Sequence, residues 1–413
     1  MTEIRLPWLK FVLCLLLVFP AGILYVGAQI TSSGYSTIVV GGYDVEYPDT
    51  VLKDNIYVFC NQNGSLSASL PGAGSQLGFD WSRYDSLTGE YGAPFRSDSG
   101  GSSTAENLES GGYRVRISDG EDIDTVFRAW VFVNSPLAGV DEEATVSRCE
   151  ALDLFGTVEI DTFRYYDPVT GERYELPGEF TPVWTADPFV PVSNTPQTRV
   201  WNPPPVTTDY TFEISYYECR SSYTITEEPV TTKAEFTVDP EEGEAPLEVT
   251  FDASASLNAA EYNWYMFYHP DTTDLDVPEY RTEAPVHTYY IPGEYQVGLR
   301  TVSEFFCEDL FILPDPVRVL PSELEVPNVF SVGPGASHEF FRVMAVSLRE
   351  FRAIVYNRNG RKVFEWTDPE EGWDGQIDGT PASPGVYFYI ITGEGWDDIE
   401  YEFTGPLYLF RTR

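Results

Sequence analysis

The chain has 413 residues, 15% of them aromatic, with 33 Gly, 31 Pro and a formal net charge of −40. That charge argues against nucleic acid as a partner, because every phosphate would be repelled and no counterion release would drive binding; its ordinary consequence is solubility in an extracellular space. The length allows two to four domains, each with its own core, and long Ala/Leu/Glu/Lys stretches of helical period are nearly absent, so short strands and turns dominate. The expected fold class is all-β, in several domains.

Residues 1–28 read as a signal peptide. Arg5 and Lys10 precede the end of an apolar run, and Val26-Gly27-Ala28 supplies small residues for cleavage between Ala28 and Gln29. The run is about long enough to span a membrane as a helix, but Pro20 and the small-residue exit favour cleavage. Four cysteines then remain, Cys60, Cys149, Cys219 and Cys307, in an oxidising compartment that permits disulfides.

The first unit, 29–135, alternates short apolar runs with turns: "NIYVFC", "LGFDW", "YRVRIS" and "FRAWVFVN" have the period of strands. Between them "RSDSGGSSTAENLESGG" predicts a long polar loop. Its Asp98-Ser99-Gly100-Gly101 is similar to the nucleophile segment of trypsin-like proteases. A nucleophilic Ser needs an oriented His within reach, and His269, His287 and His338 all lie far downstream, so loop composition accounts for the match. "SDGEDIDT" places Asp119, Glu121, Asp122 and Asp124 together. Hard cations prefer such oxygen clusters, which makes them a weak calcium candidate; the spacing is not that of an EF-hand, and an ordinary solvated loop is favoured. No other metal or cofactor site is expected.

In the second unit, 136–230, Cys149, Trp184, Tyr217 and Cys219 resemble the set of an immunoglobulin-like sandwich, in which two cysteines bridge the sheets, a Trp packs on the bridge and a Tyr two residues before the second Cys forms a corner. The resemblance implies a Cys149–Cys219 disulfide, with Cys60 and Cys307 reduced or buried; a cross-domain bond between those two is the alternative. The third unit, 231–322, carries "AEFTVDPEEGEAPLEVTFDASAS", "EYNWYMF" and "VHTYYIPGEYQVGLRTVS". These resemble a polycystic-kidney-disease (PKD) domain, with Pro246, Trp264, Tyr289, Pro292, Gly293 and Tyr295 at core and turn positions.

Residues 325–413 hold "VPNVFS", "SLREFRAIVYNRNGRKVFEW", "GWDG", "GTPASPGVYFYIITGEG" and "EFTGPLYLFR" in order. This resembles the gliding-motility-associated, type B C-terminal sorting domain with which Bacteroidota send proteins through the type IX secretion system. Asn359-Gly360 predicts a two-residue hairpin turn, since Asn and Gly take positive φ readily. The resemblance implies export to the cell surface or outer membrane, with the translocon and a PorP/SprF-family outer-membrane barrel as partners. It places sorting and docking on Asn357, Arg358, Gly360, Arg361, Lys362, Trp373, Asp374, Gly375, Pro384, Gly385 and Tyr387. An acidic loop expected after "NVFS" is replaced here by "VGPGASHEFF". Surface proteins of such bacteria are O-glycosylated at Asp followed by Ser or Thr, a pattern that Thr50, Ser86, Thr125 and Thr272 fit.

The functional expectation is a non-enzymatic exported protein, serving as adhesin, spacer or scaffold. One alternative is a stable accessory subunit of an outer-membrane complex; another is a carbohydrate-active surface protein using paired carboxylates. Catalytic residues are not expected, because no HExxH, CxxC, P-loop or nucleophile elbow occurs in the sequence.

Overall fold

The computed structural model describes residues 29–47, 50–71, 76–268, 279–333 and 339–411. The signal-peptide segment, Thr272, His269 and His338 lie outside the described residues. Among those described there are strands and turns and no helix, so the all-β expectation holds.

Four β-sandwiches follow one another. In the first, a small sheet of Gln29–Thr31, Gly64–Ser69 and Ser102–Leu108 faces a larger one ordered Thr37–Tyr47, Thr50–Cys60, Asp124–Asn134, Gly111–Ser118, Leu77–Asp85 and Glu90–Tyr91. Period-two alternation drives the packing: Phe79, Trp81, Val115 and Ile117 point inward and are fully buried. Thr50–Cys60 runs parallel to Asp124–Asn134. The same parallel closure of an early strand on the last one recurs in the third sandwich, between Glu242–Glu244 and Val317–Leu320, and in the fourth, between Val329–Val332 and Glu400–Arg411. Two face-packed, mainly antiparallel sheets with crossing connections make an immunoglobulin-like architecture.

The long loop expected at 96–112 is instead two strands, Arg96–Gly100 and Ser102–Leu108. Its polar residues serve as partners between sheets and between strands: Trp81 Nε1 donates across the sandwich to Ser103 Oγ at 2.9 Å, while Ser67 and Thr104 hydroxyls meet at 2.8 Å and Ser97 Oγ donates to Asp80 on neighbouring strands. Ser103, Ala105 and Leu108 are buried, a period masked in sequence by the small size of the first two. Ser99 lies on this first sandwich, whereas His287 sits on the third and pairs Nδ1 with the Tyr280 hydroxyl at 3.0 Å.

The second sandwich packs Leu137–Val140, Ala151–Glu159 and Gln197–Trp201 against Thr181–Asp187, Thr208–Tyr216 and Cys219–Glu227. Trp184 is core, 4.8 Å from the Phe212 ring, with its Nε1 donating to Thr195 O. It packs on no disulfide.

The expected Cys149–Cys219 bridge is not formed. Cys60 pairs with Cys219, and Cys149 with Cys307. The strand Ala151–Glu159 explains why. Its Glu159 end pairs with Leu137, beside the first sandwich, and its Ala151 end follows Cys149. Nine residues at about 3.3 Å each place the two ends roughly 27 Å apart. Cys219 lies at the end toward the first sandwich, Cys149 at the end toward the third. Cys60 and Cys307, expected to be reduced or buried, are therefore both bridged, with Cys307 also buried.

Both bridges follow one plan, in which the last hairpin of a domain reaches back to the domain before it. In the second sandwich that hairpin turns at Tyr217 and Glu218, both at positive φ (48° and 62°). Such a turn is strained for bulky residues and is held from the first sandwich: Ser36 and Thr37 hydroxyls donate to Tyr217 O, and Asn134 Nδ2 donates to Tyr216 O at 2.6 Å. The Tyr217 hydroxyl bonds Pro177 O, far upstream of the position a tyrosine corner would use. In the third sandwich Cys307 lies in the corresponding turn, where Ser303 Oγ donates to Val230 O of the linker.

The first junction also has its own core. Ile56, Val58, Trp130 and Phe132 face away from the first sandwich's interior and are covered by Phe163, Tyr165, Leu176 and Tyr216 of the second. Phe163 and Tyr165 come from the segment forming the Arg164–Tyr166/Arg173–Glu175 hairpin, which lies across that sheet.

On the second sandwich, Asp153 is flanked by Arg148 at 2.7 Å and Arg199 at 2.5 Å. Hydrogen bonds from Arg199 and then Arg148 pull its carboxyl down to about 2. A folded pKa below the unfolded one adds stability that is present above the unfolded value and disappears as pH falls through the folded one. The thermal-midpoint gap between wild type and Asp153→Asn is thus expected to be constant above about pH 4 and to shrink on acidification toward pH 2. Calorimetry across that range measures it.

Candidate functional site: the C-terminal sandwich

The fourth sandwich begins at Glu323–Glu325. Its main sheet is ordered Val329–Val332, Glu400–Arg411, Gly385–Gly395, Leu348–Asn357 and Lys362–Trp366. Phe330, Phe341, Val355, Trp366, Trp373, Tyr387, Tyr389, Ile391, Leu407 and Leu409 form its core. It meets the third sandwich through its own last hairpin, as the other junctions do, but without cysteine. Trp396 packs 5.4 Å from the Tyr290 ring, Asp397 accepts from the Ser322 amide and hydroxyl, and Ser347 Oγ accepts from Ala245 N.

The candidate docking residues separate into two groups. Trp373 and Tyr387 are buried, so in the folded domain they do not offer a contact surface. Trp373 lies 5.3 Å from Phe330 and 4.9 Å from Tyr387 and donates Nε1 to Gln376 O at 2.6 Å. Asp374 accepts the amides of Gln376, and Gly375, at φ +73°, offers its carbonyl to Ala382 N and Arg411 Nη2. These four residues build the domain. Their Trp-Asp-Gly spelling is a turn that seats an indole.

Asn357, Arg358, Gly360, Arg361 and Lys362 occupy a hairpin tip, which differs from the expected two-residue turn. Only Gly360 has positive φ (+76°). Asn357 N donates to Arg361 O, Gly360 N donates to Asn357 O, and Asn357 Oδ1 accepts from Asn359 N and Arg361 N. This is a three-residue loop, a type I turn followed by a left-handed glycine; the Asn357 side chain stabilises it by taking two amides that a tighter turn would leave otherwise paired. Arg361 reaches Asp378 at 3.5 Å and Lys362 pairs with Glu365. Arg358, Pro384 and Gly385 are exposed.

The outer face of the main sheet holds exposed apolar residues outside the candidate docking set. Side chains alternating with the core residues present Val329, Tyr408 and Val386 in one row across three strands, Pro406, Phe388 and Tyr356 in the next, then Thr404, Ile390 and Ile354. Val329, Val386, Phe388, Ile390, Tyr408 and Phe410 are 40–58% exposed. Beyond them come Glu402, Thr392 and Arg352, and last Glu400, Glu394 and Glu350. The face runs from apolar to acidic. The signal was present in "GVYFYII", apolar at every position where a one-sided strand would alternate.

The acidic loop at 118–125 is committed to local structure. Asp119 Oδ1 accepts the amides of Glu121, Asp122 and Ile123, and hydrogen bonds from Ile123 and Glu121 hold its carboxyl below the usual range. Asp124 pairs through both oxygens with Arg116. Two of the four calcium-candidate carboxylates thus already have partners, and no group of three or more metal-ligating side chains is found among the described residues. Of the modification candidates, Ser86 is exposed in a turn closed by Asp85, and Thr125 is half-buried on a strand opposite Ile117. Thr50 begins a strand.

Residues 324–409 match the family model of the CHU_C type IX secretion signal domain. No curated protein matches the chain. Solved structures to which it is similar include the tetra-tandem repeat in the extending region of a large adhesion protein, at 12% identity and TM-score 0.26, covering 84% of this chain and 95% of that one. Others are Sidekick-1 immunoglobulin domains 1–4, at 14% identity and TM-score 0.22 over 86% of this chain and 96% of that one, and a complex of Dpr2 with DIP-Theta immunoglobulin domains, at 8% and 0.31 over 68% and 99%. The fold assignment stands on the strand order given above. The C-terminal match indicates export to the cell surface or the extracellular space.

Proposed function

We propose that this chain is a non-enzymatic cell-surface protein of a Bacteroidota cell, in which three disulfide-linked sandwiches, the third of them PKD-like, form a stiff arm that acts as adhesin, spacer or scaffold. The fourth sandwich is its address. A signal peptide ending at Ala28 takes the chain to the periplasm, and the translocon with a PorP/SprF-family barrel then receives the C-terminal domain. The observation that carries this reading is the secretion-signal match over residues 324–409. The arm reading is supported by two bridges that each tie one domain to the next, because a covalent tie at a domain boundary removes the relative motion that polar junctions ordinarily allow.

A chain ending at residue 321 is expected to fold and form both disulfides but to accumulate in the periplasm, measured by protease accessibility on intact cells. Normal surface exposure of the truncated chain would overturn the reading. The exposed apolar face of the fourth sandwich favours a second version, in which the domain stays docked as a permanent subunit. Stoichiometric co-fractionation with one barrel protein and an uncut C-terminus by intact mass distinguish it from a released passenger.

A further inference from the structure

Resting on that reading, we propose that the outer face of the C-terminal sheet is the docking surface for the export receptor, and that the receptor presents an apolar patch bordered by Lys or Arg. Three independent features lead there. The strand Gly385–Gly395 has the composition of a strand covered on both faces, yet one face is bare: Tyr387, Tyr389 and Ile391 are in the core while Val386, Phe388 and Ile390 are 40–46% exposed. Neighbouring strands extend this patch with Val329, Tyr408 and Phe410. Spacings of about 4.8 Å between strands and about 6.8 Å between same-face residues give it roughly 300 Å², within the range where the largest patch of a monomer is often functional.

The second feature is charge. Glu350, Glu394 and Glu400 stand directly opposite one another on three adjacent strands, with Glu402 in the next row. Like charges in register destabilise a sheet. Arg349 answers Glu394, whereas the side chains of Glu350, Glu400 and Glu402 make no hydrogen bond or ion pair among the described residues. A basic margin on the partner would neutralise them.

The third feature excludes a second copy as the occupant. The apolar patch by itself is well below the ~800 Å² per partner of a stable specific interface, so the docked surface also takes in the acidic rows beside it. Two chains of net charge −40 repel each other, while a cationic receptor draws this chain in.

The test uses the full-length chain in its own cells. Phe388→Asp with Ile390→Asp is expected to lower the surface-exposed fraction about tenfold or more, as loss of a central apolar anchor does, and Glu350→Lys with Glu400→Lys is expected to lower it in the same direction. Neither purified variant should unfold below the wild-type midpoint, since all four side chains point outward, and the charge reversals should if anything raise it by relieving the like-charge row. Phe306→Asp, an exposed aromatic on the third sandwich, should export normally. A photo-crosslinking amino acid at position 388 or 408 should mark the same outer-membrane protein, and the mark should disappear in the charge-reversed variant. Normal export of the Phe388/Ile390 variant overturns the proposal, as do crosslinks only to lipid or to a second copy of the chain. If the chain ending at residue 321 is itself exported, the secretion reading fails; if that truncation blocks export and the face variants do not, only the face assignment fails.

Discussion

Replacing Cys60 and Cys219 together by serine is expected to destabilise the first two sandwiches by about 3–5 kcal/mol and to separate their unfolding into distinct steps. The bond closes 159 residues, and restricting an unfolded loop of that size is worth about 5 kcal/mol in the chain-entropy account. The actual loss falls below that because the junction has other contacts. Ile56, Val58, Trp130 and Phe132 stay covered by Phe163, Tyr165 and Leu176, and Asn134 still bonds Tyr216 O. The cost should concentrate at the strained Tyr217-Glu218 turn, which loses its covalent tether while both residues remain at positive φ. Differential scanning calorimetry of the double variant reads both effects. The Cys149–Cys307 pair, closing 158 residues, gives an internal comparison: removing it should loosen the second junction and leave the first intact. A double variant that unfolds as a single transition at the wild-type midpoint would show that the aromatic interface alone couples the domains.

Trp373→Ala should cost about 3–5 kcal/mol within the fourth sandwich, the range for removing a large aromatic from a core. The indole is fully buried against Phe330 and Tyr387, and its Nε1 satisfies Gln376 O. Its backbone also bonds Phe341 in both directions, so loss of the side chain loosens the segment that closes the small side of the sandwich. Such a loss is a large share of the roughly 5–15 kcal/mol that holds a domain together. The other three sandwiches should keep their transitions, because among the described residues this domain is joined to them by the hairpin tip around Trp396 and by the Ser347 and Ser322 contacts. Urea unfolding resolves the two populations. By contrast Arg358→Ala, at the exposed tip, should change stability by less than about 0.5 kcal/mol. Equal effects of the two substitutions would refute the structural role given to Trp373.

That contrast also shows where residue types mislead. Trp-Asp-Gly and the Asn-Arg-Asn-Gly tip both looked like parts of a recognition surface, since exposed aromatics and basic residues are common in interfaces. One turned out to be a core anchor because its neighbours at 330, 341 and 387, distant in sequence, enclose it. The tip has the turn chemistry expected of Asn and Gly, but the loop length was set by the hydrogen bonds that Asn357 Oδ1 accepts from Asn359 N and Arg361 N.

Local physics was enough for the parts that depend on nearest neighbours. Alternation in segments such as 113–118 and 247–252 dictates strands with one buried face, Gly360 and Gly375 dictate turns, and Trp184 and Trp264 are core wherever the sheets close. Two kinds of feature lay beyond that reach. Which cysteines meet depends on which end of a sandwich each one occupies, and that follows from strand direction and domain order; Cys149 and Cys219 lie in one domain yet at opposite ends of it, each within bonding distance of a different neighbour. Which apolar faces stay uncovered depends on what packs over them. The sheet face of the first sandwich is buried by the second, and that of the fourth sandwich is left bare. Strand pattern reports only that a face is apolar, whereas burial is settled by the rest of the chain folding over it or leaving it exposed.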